Sequence, residues 1–184
     1  MIELYDRYSQ ESRDLHESLV ATGLSQLGVV IDADGFLPDG LVSPFTYYLG
    51  YEKGKPLYFN QVPVPAFWEI SGNNQSARIE DMTQERAVIH YADGMQARLV
   101  KQVDWKDLEG RVRQVDHYNR FGACFATTTY SADSEAIMTV YQDVNGQEVL
   151  LENHVTGDIL LTLPGQPMRY FANKVEFITF FLQD

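Results

Sequence analysis

The chain of 184 residues has a single cysteine, Cys124, so no internal disulfide can form. A reducing, cytoplasmic setting is therefore expected. Cations are scarce: 14 Lys and Arg stand against 26 Asp and Glu, a net charge of −12. That balance, without any Lys/Arg cluster, repels a phosphate backbone and makes nucleic acid a poor partner. An anionic membrane surface is disfavoured for the same reason. No apolar window approaches the length of a membrane-spanning helix. The first residues do not read as a signal peptide, because Asp6, Arg7 and Glu11 interrupt any apolar stretch.

The usual chemical machinery is also missing. The glycines never form G-x-G-x-x-G or G-x-x-x-x-G-K, so no phosphate loop is present. The four histidines, His16, His90, His117 and His154, include no pair at ligand spacing on a helix. Asp116 and His117 are neighbours in a strand, so their side chains diverge to opposite faces. Asp32-Ala33-Asp34-Gly35 follows a strand, where two carboxylates can hold a divalent cation; Asp-Gly is also ordinary turn chemistry, and the turn reading is preferred. Cys124 lies in an apolar strand-like run, where a thiol is usually inert. No cofactor, metal or catalytic residue is expected.

What is present is sheet. Aromatic residues make up 12% of the chain, which suits pleated surfaces. From Phe45 to Phe171 short strand-like runs recur every eight to twelve residues. They are Phe45–Glu52, Leu57–Val62, Phe67–Ser71, Ala77–Met82, Ala87–Tyr91, Arg98–Trp105, Arg111–Tyr118, Ala123–Tyr130, Ala136–Tyr141, Glu148–Glu152, Ile159–Leu163 and Met168–Phe171. Hairpin turns separate many of them: Lys53-Gly54, Asp93-Gly94, Glu109-Gly110, Asn145-Gly146 and Pro164-Gly165. Pro63 and Pro65 cannot donate to a ladder, so they belong to an edge or a bend. Apolar and polar residues divide only loosely between the faces of Arg98–Trp105, as in a sheet partly covered by its own chain or by a partner.

Helix is expected only near the ends. Ser9 can cap a helix over Ser9–Thr22, with Leu15, Leu19, Val20 and Leu24 as its apolar stripe and Gly23 as its stop. Flanking strands at Met1–Leu4 and Val29–Ile31 give a strand–helix–strand start. Asn173 can cap a second helix, Asn173–Leu182, rich in Phe and Ile. So apolar a helix needs cover, either in a longer protein of which this is the front part, or on one face of the sheet. The reading is α+β: a mostly antiparallel extended β-sheet meander with a short strand–helix–strand start and a C-terminal helix. Residues 1–44 form a partial Rossmann-like α/β segment and connector, 45–172 the extended sheet, and 173–184 the returning helix.

A meander offers flat faces and open edges rather than a chemical cleft, so a binding surface is expected ahead of an enzyme. Exposed aromatics drawn from Tyr47, Tyr48, Tyr51, Tyr58, Trp68, Trp105 and Tyr118 could bind sugar or peptide, although a sheet core uses aromatics too. Asp116, His117, Tyr118, Asn119 and Arg120, a polar-aromatic strand end beside Gly122, are the candidate partner- and acceptor-binding residues.

Several stretches, in order, resemble one family. They are Gln10-Glu11-Ser12 through Leu15-His16 with Ser18-Leu19; Asp34-Gly35-Phe36-Leu37-Pro38 with Ser43-Pro44; Pro56-Leu57-Tyr58-Phe59-Asn60-Gln61; Val88-Ile89-His90-Tyr91; Val103-Asp104-Trp105; Asp116-His117-Tyr118-Asn119; Gly146-Gln147-Glu148-Val149-Leu150; and Thr156-Gly157-Asp158-Ile159-Leu160-Leu161. Together they are similar to the N-terminal part of the GtfB family. GtfB proteins are the stabilising, acceptor-recognising subunits of a two-protein O-GlcNAc transferase that modifies serine-rich-repeat adhesins of the accessory Sec system. The resemblance implies a two-lobed glycosyltransferase fold with an extended sheet inserted in its first lobe. It implies a GtfA-type catalytic subunit and a Ser/Thr-rich adhesin polypeptide as partners, and a non-catalytic role. It further implies peripheral membrane association of the full complex, at the inner face of the cell membrane. The rival reading is a stand-alone carbohydrate-binding β domain.

Overall fold

The computed structural model describes residues 2–23, 27–92 and 97–183. Two sheets carry the architecture. The first is parallel and three-stranded, in the order β1 (Ile2–Tyr5), β2 (Leu27–Val30), β3 (Leu41–Val42). Helix α1 (Gln10–Ala21) connects β1 to β2. Ser9 caps it, accepting from the Ser12 N–H, while Ser12 Oγ accepts from the Ser9 N–H. This satisfies donors that the first turn leaves open. The expected leucine stripe is not the packed face. Leu15 and Val20 are about half exposed, at 52% and 48%, and the helix buries Ser12 and His16 instead. His16 Nδ1 lies 3.0 Å from Glu3 Oε2, and the Tyr5 hydroxyl donates to the same carboxylate oxygen. Burial and the Glu3 carboxylate push the Tyr5 phenol up to about 12. A polar triad thus docks this helix, which apolar periodicity does not reveal. Leu24, assigned to that stripe, lies outside the described residues, as does the Asp93-Gly94 turn.

The second sheet is antiparallel, with ten strands in the order β13 to β4. They are β4 (Glu69–Gly72), β5 (Ser76–Asp81), β6 (Gln84–Tyr91), β7 (Val100–Lys106), β8 (Val112–Tyr118), β9 (Cys124–Tyr130), β10 (Ala136–Gln142), β11 (Glu148–Asn153), β12 (Ile159–Leu161) and β13 (Arg169–Phe171). Every neighbour in space is a neighbour in sequence, which makes this an unbroken meander. Gly110, Gly146 and Gly165 adopt positive φ at three of the hairpins, the conformation that such turns require.

Two expected strands are something else. Phe45–Glu52 begins with the short helix α2 (Pro44–Tyr47), capped by Ser43 with proline in its first turn. Leu57–Val62 forms a 3-10 turn at Phe59–Gln61 and a single bridge from Tyr58 to Leu99. The C-terminal helix α3 (Lys174–Gln183) is present, with Asn173 Oδ1 accepting from the Glu176 N–H.

Directly opposed residues in antiparallel strands share a face. One row therefore runs His90, Gln102, His117, Ala126, Tyr141, Leu150, Leu161, Arg169, with Val88, Asp104, Val115, Thr128, Thr139, Glu152, Ile159 and Phe171 beside it. The opposite face carries Ile89, Val103, Asp116, Thr127, Val140, Leu151, Leu160 and Tyr170. The two faces are covered at opposite ends. Phe45 and Leu49, with Phe177 of α3, bury the first face over β9–β13. The loop around Leu57, Phe59, Val62, Val64 and Trp68 buries the second face over β5–β8.

Candidate interaction surface

The staggered covering leaves half of the second face open. In β12 the burial alternates: Ile159 and Leu161 are fully buried, whereas Leu160 is not. In β10 Thr139 and Tyr141 are buried and Val140 is only partly so. Leu151 sits between Val140 and Leu160 in the same row. Tyr170, at 62% exposure, extends the row to the sheet edge, and Thr127, Thr129 and Met138 flank it. No described residue of a helix or loop builds a core over these side chains. The surface is apolar at its centre and hydroxyl-rich toward β9, without a charged side chain in the Thr127-to-Tyr170 row. The sequence held one signal for it: Val149-Leu150-Leu151 and Ile159-Leu160-Leu161 are apolar without alternation, as in strands meant to be covered on both faces.

The five candidate residues at the end of β8 do not form one surface. Asp116 lies on the second face where covered and open halves meet. Its carboxylate accepts from Trp105 Nε1 at 2.6 Å, Gln114 Nε2 at 2.8 Å and Thr127 Oγ1 at 3.2 Å. His117 is on the first face, and its Nε2 is 2.9 Å from Thr128 Oγ1. The contact continues through Thr139 Oγ1 to His154 Nε2, a polar chain from β8 across β9 and β10 to the turn that follows β11. Burial holds the His117 imidazole below its usual pKa, against the opposing pull of Asp104 and Asp116. Tyr118 is buried in the core under the 57–68 loop, and burial raises its phenol pKa well above the ordinary value. Asn119 is also buried, and its Oδ1 accepts from the Phe121 and Ala123 N–H groups to close the β8–β9 turn.

Arg120 does different work. Its guanidinium donates to Leu37 O at 3.2 Å and to Asp39 Oδ1 at 2.6 Å, and its N–H donates to Gly35 O. It clamps the connector between β2 and β3 onto the tip of the β8–β9 hairpin. The connector and hairpin enclose a cleft of about 390 Å³, lined by Leu37, Leu49, Tyr51, Phe121 and Phe125, with Asp39 and Arg120 at its polar side. Asp34 accepts from the Phe36 N–H and from Lys101 Nζ at 3.3 Å, as in a turn tied to the sheet. Asp32 is exposed, 3.9 Å from Lys174. No group of three metal-ligating side chains occurs among the described residues.

The remaining candidates are largely structural. Cys124 is partly buried, and burial beside Asp116 pushes its thiol up to about 11. Trp105 is held by Asp116, Trp68 lies under the Arg86 guanidinium, and Tyr51 donates to the Gln142 and Asp143 carbonyls. Tyr47, at 60% exposure, packs edge-on against Tyr48 and Phe181.

Residues 2–48 match the GtfB N-terminal domain and residues 68–172 the GtfB middle domain. Over all 184 residues the chain is 93% identical to the "UDP-N-acetylglucosamine--peptide N-acetylglucosaminyltransferase stabilizing protein GtfB" of Streptococcus pneumoniae serotype 4, and spans 41% of that protein. It superimposes at a TM-score of 0.95 and 55% identity on a chain in the crystal structure of a GtfA/B complex bound to UDP and GlcNAc, covering all of this chain and 42% of that one. At 13% identity and a TM-score of 0.64, the fold also recurs in the pneumococcal O-GlcNAc transferase GtfA in complex with UDP and GlcNAc, over 99% of this chain and 40% of that one. The matched N-terminal and middle domains, with the identity over all 184 residues of this chain, place it in the GtfB family.

Proposed function

We propose that this chain is the partner- and acceptor-binding part of a two-protein peptide O-GlcNAc transferase. In this reading it is non-catalytic and stabilises a GtfA-type catalytic subunit. The observation that carries it is the open half-face of Val140, Leu151, Leu160 and Tyr170. Four apolar side chains in one row across the sheet form a docking face whose exposure is costly in an isolated chain. Removing such a face from water on association stabilises both partners, which is what a stabilising subunit does. The acceptor is a Ser/Thr-rich adhesin polypeptide, which an acidic chain tolerates because it is uncharged. Work inside the cell, with the complex held peripherally at the inner face of the membrane, completes the proposal.

The test uses the full-length protein co-expressed with its GtfA-type subunit. Co-purification of the two, with saturable binding of an unfolded Ser-rich peptide, supports the reading. Failure to co-purify, alongside saturable binding of free oligosaccharide, replaces it with a stand-alone carbohydrate-binding domain.

A further inference from the structure

A row of four side chains on the first face joins two histidines that lie far apart in sequence. His117 Nε2 of β8 is 2.9 Å from Thr128 Oγ1 of β9, and Thr128 Oγ1 is 2.8 Å from Thr139 Oγ1 of β10. Thr139 Oγ1 is 2.7 Å from His154 Nε2, in the turn after β11. The two threonines oppose each other across the β9–β10 ladder and are buried, at 5% and 3% exposure. His117 is partly buried and His154 is exposed.

Counting protons limits what this row can hold. A hydroxyl has one proton to donate, and an imidazole Nε2 donates only when it carries a proton. Three contacts need three protons, and the two hydroxyls supply two. The third comes from a single Nε2–H, and the bonds then run in one direction along the row. With no Nε2–H, one contact sets lone pair against lone pair. With both, one buried hydroxyl proton is left over. Among the described residues neither hydroxyl bonds any other group. A buried donor without an acceptor is costly.

We infer that His117 and His154 titrate as one unit through Thr128 and Thr139: the row accepts one imidazolium and resists a second, a pH-sensitive device built into the sheet. The first proton goes to the exposed ring, where the charge stays hydrated. Charged His154 donates to Thr139, Thr139 donates to Thr128, and Thr128 donates to His117. The neutral His117 ring is thereby fixed with its own proton on Nδ1. Charging His117 as well strands a hydroxyl proton and breaks the row.

The surroundings of His117 pull both ways. Burial opposes its cation most; Asp104 of β7, itself bonded to His90, and Asp116 favour it; Lys101, bonded to Asp34 of the connector, opposes it. From β9 come only the Thr128 hydroxyl and the Phe125 ring, 6.4 Å away between centroids. On the His154 side, Glu152 accepts from the Tyr141 hydroxyl and lies 3.6 Å from Lys174. Asp158 of the same turn accepts from Thr156, and Asp133 and Glu135 stand in the β9–β10 turn. The row lies on the face opposite Val140, Leu151, Leu160 and Tyr170, so the inference goes beyond the docking proposal and stands or falls without it.

The experiment is NMR of the full-length protein with isotope-labelled histidine, following each imidazole between about pH 5 and pH 8, the range in which the side chain ordinarily titrates. His117→Gln and His154→Gln assign the two rings. While His154 is charged, His117 should carry its proton on Nδ1. His154→Gln should raise the His117 midpoint by about one pH unit or more, tenfold in proton affinity, because an amide can donate or accept and the row can run either way. Thr139→Val cuts the row, and in that background His154→Gln should move His117 no further. Thr139→Ser restores the link and the shift. Plain repulsion between two cations would survive Thr139→Val and fade with added salt, whereas a shift set by proton count persists in salt. The salt series makes this distinction without any Thr139 variant. An unchanged His117 midpoint in His154→Gln overturns the inference. So does a shift that salt abolishes or that Thr139→Val leaves intact.

Discussion

At Gly35 the connector presses against the β8–β9 hairpin. A Cβ there would stand 2.6 Å from Tyr118 O and 2.7 Å from Asn119 Cα, both backbone atoms that cannot yield cheaply. Gly35→Ala should therefore lower stability by about 1–3 kcal/mol, read as a lower denaturation midpoint. His117 gives a pH signature. Its folded pKa lies below the ordinary imidazole value, so the unfolded chain binds the proton more readily. The contribution is present above an unfolded pKa of about 6.5 and is lost as pH falls through the folded value. His117→Gln should flatten the decline in denaturation midpoint between about pH 7 and pH 5. Cys124 should react with a disulfide reagent at least roughly tenfold more slowly in the native chain than in denaturant, because burial suppresses its thiolate. Among these residues, the shielded setting of the Cys124 thiol was legible in the sequence, from its place in an apolar strand-like run. The separate fates of Asp116 and His117 were legible too, from strand alternation. The clamp made by Arg120 was not, because its partners Gly35, Leu37 and Asp39 lie more than eighty residues away.

At the scale of elements, local chemistry was read best where it was self-contained. Asn145-Gly146 and Glu109-Gly110 turn where their positive-φ glycines require. Ser9 and Asn173 cap the helices they precede. The segment from Phe45 misled because Phe45, Thr46 and Tyr47 have strand composition. Ser43-Pro44 in front of them is a helix start, a capping side chain followed by a residue with φ already fixed. Packing supplied what α1 hid, since a buried histidine and carboxylate carry no apolar period. Helix α3 is held by Phe177, which is fully buried with its ring centroid 5.1 Å from that of Phe45 and 5.4 Å from that of Phe171. Phe177→Ala should cost about 3–5 kcal/mol in chemical denaturation, since it removes the side chain that ties α3 and α2 to the sheet.

Across the whole molecule, one sheet serves two cores on opposite faces. Neither core spans all ten strands, so each end of the meander keeps one face open. Over β5–β7 the open face is largely polar, with His90 bonded to Asp104 and Lys106 to Glu85. Over β9–β13 it is apolar. That contrast decides which open face should meet a protein partner, because burying paired charges gains little while burying apolar area gains much. The alternation of strands made the sheet legible, but the position of its covers was set by α2 and α3, which reach across from distant sequence. The direct measurement is the affinity of the full-length protein for the proposed GtfA-type partner, before and after Leu160→Glu and Tyr170→Ala, with Phe67→Ala at the far end of the sheet as the control. Leu160→Glu should weaken binding by about thirtyfold or more, as for loss of an interface hot spot, Tyr170→Ala should weaken it less, and Phe67→Ala should leave it intact. Unchanged affinity in Leu160→Glu, or loss of binding in Phe67→Ala alone, would contradict the docking face.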